Sequence, residues 1–477
     1  MPAWTNLSNN THDTWYKDPG LRWNVFHGLG LCLVIAANSY GATLLGGFQA
    51  VPQWVSYFGN PKGNILGLYS ASYFLPSIVT SYLGDYISTK YGRRWAVFVG
   101  MTLMLAGGFV NTFANGVGMW VGGRAIMGAG VGVVKVGAPV LIQEIAHPRL
   151  RATLGSCYQG FAYIGTVVSA FMCFAGLYIK GDWGWRMPSL LQVIGPAMVL
   201  AVTWHCPESP RWLVKNGRGN EARAILAKYH ANGDLNDGLV DFQMSEITTA
   251  LEKEQSPRQT SYIDFVRNPG NRRRLFVMTL LALSLNWMGN GIITYYLAPI
   301  LRSVGITEPV QITLINAFLA VWNLILALGA AVNVDRVGRR PLFLMSVAGM
   351  LVCYGIIMGL SAGFAKTQQK GLGSAVIPFL FIYFGFYSIA FTPLPVAYTV
   401  EIMPFSLRGK GMALFTSIAT CGNSLAQFLN PVILGAIAWK YYAVFLVILS
   451  LYGVVIYFVF PETKRLTAEE AATVFDK

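Results

Sequence analysis

Charge is scarce in this sequence. Of 477 residues only 12% are Asp, Glu, Lys or Arg, against 54% hydrophobic. That is too little charge to cover the roughly three soluble domains such a length would make. Acid is scarcest, with 21 Asp and Glu against 35 Lys and Arg, a formal charge of +14. The basic residues lie scattered between apolar runs instead of clustering on a soluble face, which excludes a nucleic-acid partner. No G-x-x-x-x-G-K-[ST] phosphate loop is present, so an ATP-driven pump is excluded and any work must come from gradients. Six cysteines (Cys32, Cys157, Cys173, Cys206, Cys353 and Cys421) sit in or beside apolar runs with no metal-ligand spacing and read as packing residues. No Ser/His/Asp, metal or paired-carboxylate set falls within those runs, so the chain is expected to be no enzyme and to need no cofactor or metal. The first 22 residues are polar and lack the short apolar core of a cleavable signal.

What is abundant is long uncharged sequence. Eleven stretches contain no Asp, Glu, Lys or Arg: 23–61, 63–84, 95–123, 152–179, 187–207, 275–301, 309–334, 341–365, 371–400, 411–439 and 441–461. A twelfth, 125–143, is apolar except for Lys135. A bilayer-spanning helix needs about 20 such residues, and these runs far exceed barrel strands. The expected fold is therefore an all-α membrane protein with twelve transmembrane helices. Most Lys and Arg fall in alternate connections that include both termini, which places both termini in the cytoplasm.

The longest hydrophilic segment, 208–274, separates six helices from six. This gives an N-terminal segment 1–23, a first bundle 24–207, a linker 208–274, a second bundle 275–461 and a tail 462–477. Within the linker, Asn220 to Tyr229 combines helix formers with acid early and base late, which predicts a short helix. Three signatures recur in order in both halves. Lys90-Tyr91-Gly92-Arg93-Arg94 pairs with Asp335-Arg336-Val337-Gly338-Arg339-Arg340, and Glu144 through Arg151 pairs with Glu401 through Arg408. Pro207-Glu208-Ser209-Pro210-Arg211 pairs with Pro461-Glu462-Thr463-Lys464. Offsets of roughly 250 residues in all three pairs indicate a duplicated six-helix unit.

These motifs resemble the major facilitator superfamily, specifically its sugar porter family, over nearly the whole chain. Lys17-Asp18-Pro19-Gly20-Leu21-Arg22, Gln49-Ala50-Val51-Pro52-Gln53-Trp54 and Leu226 to Gly233 are similar to fungal lactose, cellodextrin and hexose permeases. The resemblance implies two pseudo-symmetric six-helix bundles that rock about a central site. The charged motifs would then gate one end: Arg93, Arg94, Glu144, Arg151, Asp335, Arg339, Arg340, Glu401 and Arg408 form salt bridges that hold it shut and break on opening. Read singly, each also serves topology alone.

Sugar recognition needs side chains that donate and accept toward hydroxyls, with an aromatic face for the ring. The helix predicted over 275–301 offers Asn286 and Asn290, spaced i, i+4, then Tyr295-Tyr296. Gln159, Tyr163 and Thr166 share a face of the 152–179 helix. Thr420, Asn423, Gln427 and Asn430 form a polar stripe through 411–439 that lipid would penalise. The resemblance independently marks Gln159, Asn323 and Asn423 as substrate residues. It departs at Leu285-Asn286, where many sugar porters have two glutamines, and at Thr392-Pro393-Leu394-Pro395-Val396, which lacks the family's stacking tryptophan. Phe391 or Tyr398 is the expected replacement. A structural reading, in which an amide bridges two helices, stands beside each assignment.

Proton-coupled relatives carry an acid in their first helix in Gly-Tyr-Asp, and here Ser39-Tyr40-Gly41 stands instead. Arg124, its usual partner in the family, remains. Without a titrating group in the pathway, facilitated diffusion is expected over proton symport. Lys135 near a helix centre costs about 2.5–3.5 kcal/mol on insertion scales. Eleven residues from Arg124, it points within about 20° of the same direction and about 16 Å away. Either the two form an anion site for a carboxylate-bearing substrate, or the lysine stem packs and its amine meets carbonyls or water. The reading is a monomeric plasma-membrane transporter whose partners are a sugar or related polyol or sugar acid and the lipid bilayer. The alternatives are a carrier of an organic acid or secondary metabolite and, less favoured for want of a long signalling tail, a sugar receptor.

Overall fold

The computed structural model describes residues 9–12, 14–254, 261–392, 394–404 and 407–462, without the side chains of 152, 253, 254, 330–337, 397, 408 and 409. Within these the chain is helical throughout, with no strand. Ten stretches are long and apolar enough to cross a bilayer. One of them, Lys410–Val459, is really two helices that break where Ala438 adopts a left-handed φ of 45°. Gly63–Lys90, rich in serine, threonine and tyrosine, supplies the remaining span. The twelve spans are α1 Pro19–Phe48, α2 Gly63–Lys90, α3 Arg93–Thr112, α4 Val117–Ile145, α5 Pro148–Gly176, and α6, made of Trp183–Leu191 and Ile194–His205. After the linker come α7, made of Pro269–Trp287 and Asn290–Ser303, α8 Pro309–Val337, α9 Arg339–Thr367, α10, made of Lys370–Ala390 and Leu394–Ile402, α11 Arg408–Ile437 and α12 Tyr441–Val459.

Lipid gives helices no hydrophobic reason to associate, so close backbone approach through small residues must do it. On α3 and α4 glycines meet face to face. A Cβ on Gly107 would lie 2.7 Å from the Gly123 carbonyl oxygen, and one on Gly100 2.8 Å from that of Gly130. Any larger residue would push the pair apart.

Contacts group the chain into two compact units, one of Met1–Tyr40, Pro76–Gly165 and Ser189–Gln259, the other of Gly41–Leu75, Thr166–Pro188 and Thr260–Lys477. The boundaries cut α1, α2, α5 and α6 and do not follow the linker alone. Within the second unit the cause is local packing: the late part of α1 and the early part of α2 lie against α7 and α11. Gln49 Nε2 donates to the Tyr295 carbonyl at 2.8 Å, and Phe74 meets Tyr295 edge-on at 5.9 Å. Small side chains of α5 and α8 pack together at Ala170, Ala317 and Ala320.

Among its described residues the linker holds four helices ahead of α7: Gly219–His230, over the predicted Asn220 to Tyr229, together with Pro210–Lys215, Gly238–Glu254 and Asp264–Arg267. In the first unit the N-terminal segment is strapped onto it. Buried Asp18 accepts from the Leu21 and His12 amides and from Asn232 Nδ2, which also donates to the Asn10 carbonyl. Asn24 Nδ2 donates to the Ile145 carbonyl, and its Oδ1 accepts from the His147 amide.

Beside this strap His147 and His230 meet edge-on at 5.1 Å. Burial, with the nearby His230 and Arg149, pulls His147 down to about 3. A histidine held neutral by the fold contributes stability above its ordinary pKa near 6.5, and that stability is lost as pH falls toward 3. At pH 5, about 1.5 units below the ordinary value, the expected loss is about 2 kcal/mol. His147→Asn, which keeps an acceptor for the Arg149 amide, should flatten thermal unfolding between pH 7.5 and 5. An unchanged pH profile in that variant would show that His147 is not the group responsible.

Candidate functional site

In the second unit, α7 is broken at Met288-Gly289, where Gly289 takes a φ of 97°. A broken span frees carbonyls that lipid cannot satisfy, so side chains must. Tyr383 donates to Met288 at 2.8 Å, Tyr354 to Gly289 at 2.9 Å, and Asn290 Nδ2 to Leu285 at 2.8 Å. Asn290 Nδ2 also donates to the Tyr387 hydroxyl at 3.0 Å. Its amide nitrogen is thus committed to holding the break, while its Oδ1 is buried with no hydrogen-bond partner.

The α11 stripe is turned inward. Thr420, Gln427 and Asn430 are buried and Asn423 half-buried. Gln427 Nε2 donates to Asn423 Oδ1 at 3.3 Å, Tyr441 donates to Asn430 Oδ1 at 2.8 Å, and Tyr296 donates to the Gln427 carbonyl at 2.6 Å. Gln427 Oε1, like Asn290 Oδ1, is buried and has no partner. Asn286, half-buried, reaches only the Ala419 carbonyl at 3.4 Å.

Asn323 on α8 lines a narrow cleft with Thr43, Thr166, Ser169, Thr294 and Asn316, and its Oδ1 is a third buried amide oxygen without a partner. The cleft has about 20 Å³ of free volume, enough for one water and far too little for a sugar ring. Phe391 is 1% exposed, packed 5.2 Å from Phe343 and stacked 5.9 Å from Tyr387. It therefore fills the interior and offers no face to a solute, because the helix turns at residues 391–392 and tucks the ring inward. Tyr398 is likewise buried, donating to the Pro461 carbonyl at 2.7 Å.

In the first unit Gln159 is exposed on α5. Arg124 is 2% exposed and Lys135 exposed on the same helix. The shared direction read from their spacing does not give them one environment.

The charged motifs form the same device twice. In the first unit Arg93 Nε pairs with Glu144 Oε2 at 3.1 Å, and Glu208 accepts from the Arg93 amide at 3.0 Å and the Arg94 amide at 3.2 Å. Arg94 Nη2 donates to the Trp204 carbonyl at 2.6 Å. In the second, Arg339 Nη2 pairs with Glu401 at 3.0 Å, and Glu462 accepts from the Arg339 and Arg340 amides at 3.0 and 3.1 Å. Arg340 Nη2 donates to the Tyr457 carbonyl. A carboxylate from the end of one helix thereby satisfies the orphan N–H groups opening another. Gly92 and Gly338, at φ 116° and 111°, let the chain enter α3 and α9 at the required angle. Burial lifts the Glu208 carboxyl above its usual range, opposed by the Ser209, Arg94 and Arg93 amides and the Arg93 charge. Arg151 has its Nε buried. The side chains of Asp335 and Arg408 lie outside the described residues.

The profile described as "Sugar (and other) transporter" matches residues 33–475. The chain belongs to that family. Its members similar to this chain include the high-affinity glucose transporter of Kluyveromyces lactis, 26% identical over 96% of this chain and 86% of the relative. The low-affinity glucose transporter HXT1 of Saccharomyces cerevisiae is 26% identical over 98% and 85%, and the MFS-type transporter oryC of Aspergillus oryzae 28% over 85% and 75%. The fold matches the inward-open xylose transporter XylE of E. coli with a TM-score of 0.77, at 22% identity over 94% of this chain and 99% of that one. The chain is accordingly a multi-pass membrane transporter of the major facilitator fold, and not an enzyme.

Sequence reasoning named Asn286, Asn290, Asn323 and Asn423 but missed Thr43, Ser169, Thr294 and Asn316 around the cleft. Single hydroxyls and one amide in an apolar run carry no pattern, and only packing of α1, α5, α7 and α8 reveals them.

Proposed function

We propose that this transporter carries a sugar, a hexose or disaccharide, by alternating access. The observation that carries the reading is the set of buried amide oxygens on α7, α8 and α11: Asn290 Oδ1, Asn323 Oδ1 and Gln427 Oε1 all lack a donor. Each such orphan costs about 1–3 kcal/mol unless a hydroxyl satisfies it, and a solute rich in hydroxyls is the partner that does. Gln159, Asn286 and Asn423 complete the recognition set from half-buried and exposed positions. Both termini lie in the cytoplasm of a plasma-membrane monomer built as two six-helix bundles, 24–207 and 275–461. The Arg/Glu motifs gate the cytoplasmic end, and Asn323 lines the sugar path.

Transport is facilitative. No Asp or Glu occurs in α1, α5, α7, α11 or α12, and Gly41 occupies the place of the coupling acid. Expression in a transport-null yeast, with glucose, lactose, xylose and quinate as labelled substrates, tests this. Sugar uptake should persist with a protonophore present and should not alkalinise the medium. Abolition by the protonophore would establish symport.

An organic acid is the second reading, favoured by exposed Lys135 within α4. Lys135→Gln should leave neutral sugar uptake intact. Loss of that uptake at normal surface level would instead assign the lysine to the sugar pathway.

A further inference from the structure

A second cavity in the Gly41–Leu75 and Thr260–Lys477 unit stands apart from the amide-lined cleft. It measures about 400 Å³, within the range of roughly 300–1,000 Å³ typical of small-molecule sites. Its walls come from the connection between α1 and α2, from the end of α7 and from α11. They are mainly apolar, with Val55, Leu66, Pro299, Pro431 and Leu434 prominent. Two cations, Lys62 and Arg302, stand among these walls, and Arg302 also lines an adjoining open recess with Ser56 and Asn60. No described ion pair or side-chain hydrogen bond engages either cation.

Gln49 adds an independent sign of an occupant. It lines the cavity at 3% exposure, its Nε2 is committed to the Leu45 and Tyr295 carbonyls, and its Oε1 is buried without a partner. Buried polar atoms are nearly always hydrogen-bonded, so an unpartnered amide oxygen on a residue of the wall marks a place for a donor.

We propose that this cavity binds an amphiphile bearing one anionic group. The apolar walls take its hydrocarbon, Lys62 and Arg302 take its phosphate or carboxylate, and Gln49 accepts from a hydroxyl or a bound water. Neutral sugars do not fit this chemistry, since they bring neither an anion nor a long apolar body. An occupant touches the α1–α2 connection, α7 and α11 together, and so fastens the packing that closes this end of the unit.

Binding of radiolabelled oleate and of lysophosphatidate to the purified full-length transporter in detergent tests the proposal. Saturable binding of one molecule per chain is expected. The Lys62→Gln, Arg302→Gln double variant should weaken it about tenfold, as loss of charge-assisted contacts implies, and Leu434→Trp should abolish it by filling the void. Tight binding of lysophosphatidate alone would mark a membrane phospholipid as the source, and of oleate alone a free fatty acid. If Leu434→Trp fails to fold, judged by thermal unfolding, the charge variant carries the test. The proposal is overturned if neither variant changes binding, if monoolein competes as well as oleate, or if inorganic phosphate alone displaces the probe.

Discussion

Glu208→Ala is expected to lower the thermal stability of the transporter sharply, and Glu462→Ala to do the same from the other half of the chain. Each carboxylate accepts from two consecutive backbone N–H groups, of Arg93 and Arg94 or of Arg339 and Arg340. These groups open α3 and α9, where no intrahelical acceptor exists. Hydrogen bonds to a charged group contribute about 1.5–3 kcal/mol each. Removing the acceptor therefore costs about 2–4 kcal/mol, discounted because the glutamates are half-buried. Glu208→Gln, which keeps an acceptor oxygen but not the charge, should lose less. Gly92→Ala attacks the same cap from the other side, since it places a methyl against Glu208 Oε2 and forces an L-residue to φ 116°. Its melting temperature should fall with that of Glu208→Ala. Were Glu208→Ala to melt like the wild type while Gly92→Ala fell, backbone strain and not the carboxylate would be what this corner depends on. Uptake should fall in both, because the capped end of α3 sets the position of Arg93 against Glu144.

The twin devices are legible in the sequence as paired motifs repeating in order, but the capping of α3 and α9 by Glu208 and Glu462 is not, because these partners lie 115 and 123 residues from the N–H groups they accept from. The spans were legible for a harsher reason: lipid removes every alternative to a helix for an uncharged run of about 20 residues. What the sequence hid was tertiary. The uncharged run 23–61 gave no sign that α1 ends at Phe48 and that Pro52–Tyr57 forms a separate short helix. The break in α7 was invisible because the tyrosines that stabilise it, Tyr354 and Tyr383, lie on α9 and α10. A motif position alone marks Phe391 as a solute-facing ring, and the turn after Ala390 sends it inward instead. Asn290 shows the limit most clearly. Its position in an apolar run signals importance, yet only the fold divides it into a nitrogen that holds the break and an oxygen with no partner.

That division makes the substrate reading sharply testable, because it separates stability from uptake. Gln427→Leu and Asn323→Leu each remove a buried amide oxygen that has no donor within the protein. Replacing an orphaned polar group by an apolar one of similar shape relieves a desolvation penalty, so stability should hold or rise. Gln427→Leu also loses the 3.3 Å bond to Asn423, a long one that offsets little of this. If those oxygens accept from sugar hydroxyls, each variant loses about 1.5 kcal/mol or more of substrate binding, which is about tenfold or more in KM for uptake. Asn290→Leu should behave oppositely in the first respect. It strips the Leu285 carbonyl and the Tyr387 hydroxyl of their amide donor, so stability and uptake should fall together. Uptake kinetics and thermal unfolding on the same three variants read the two quantities independently. An unchanged KM in both Gln427→Leu and Asn323→Leu would mean that these oxygens meet only water, and the amides of α8 and α11 would then be helix-bridging groups with no part in recognition.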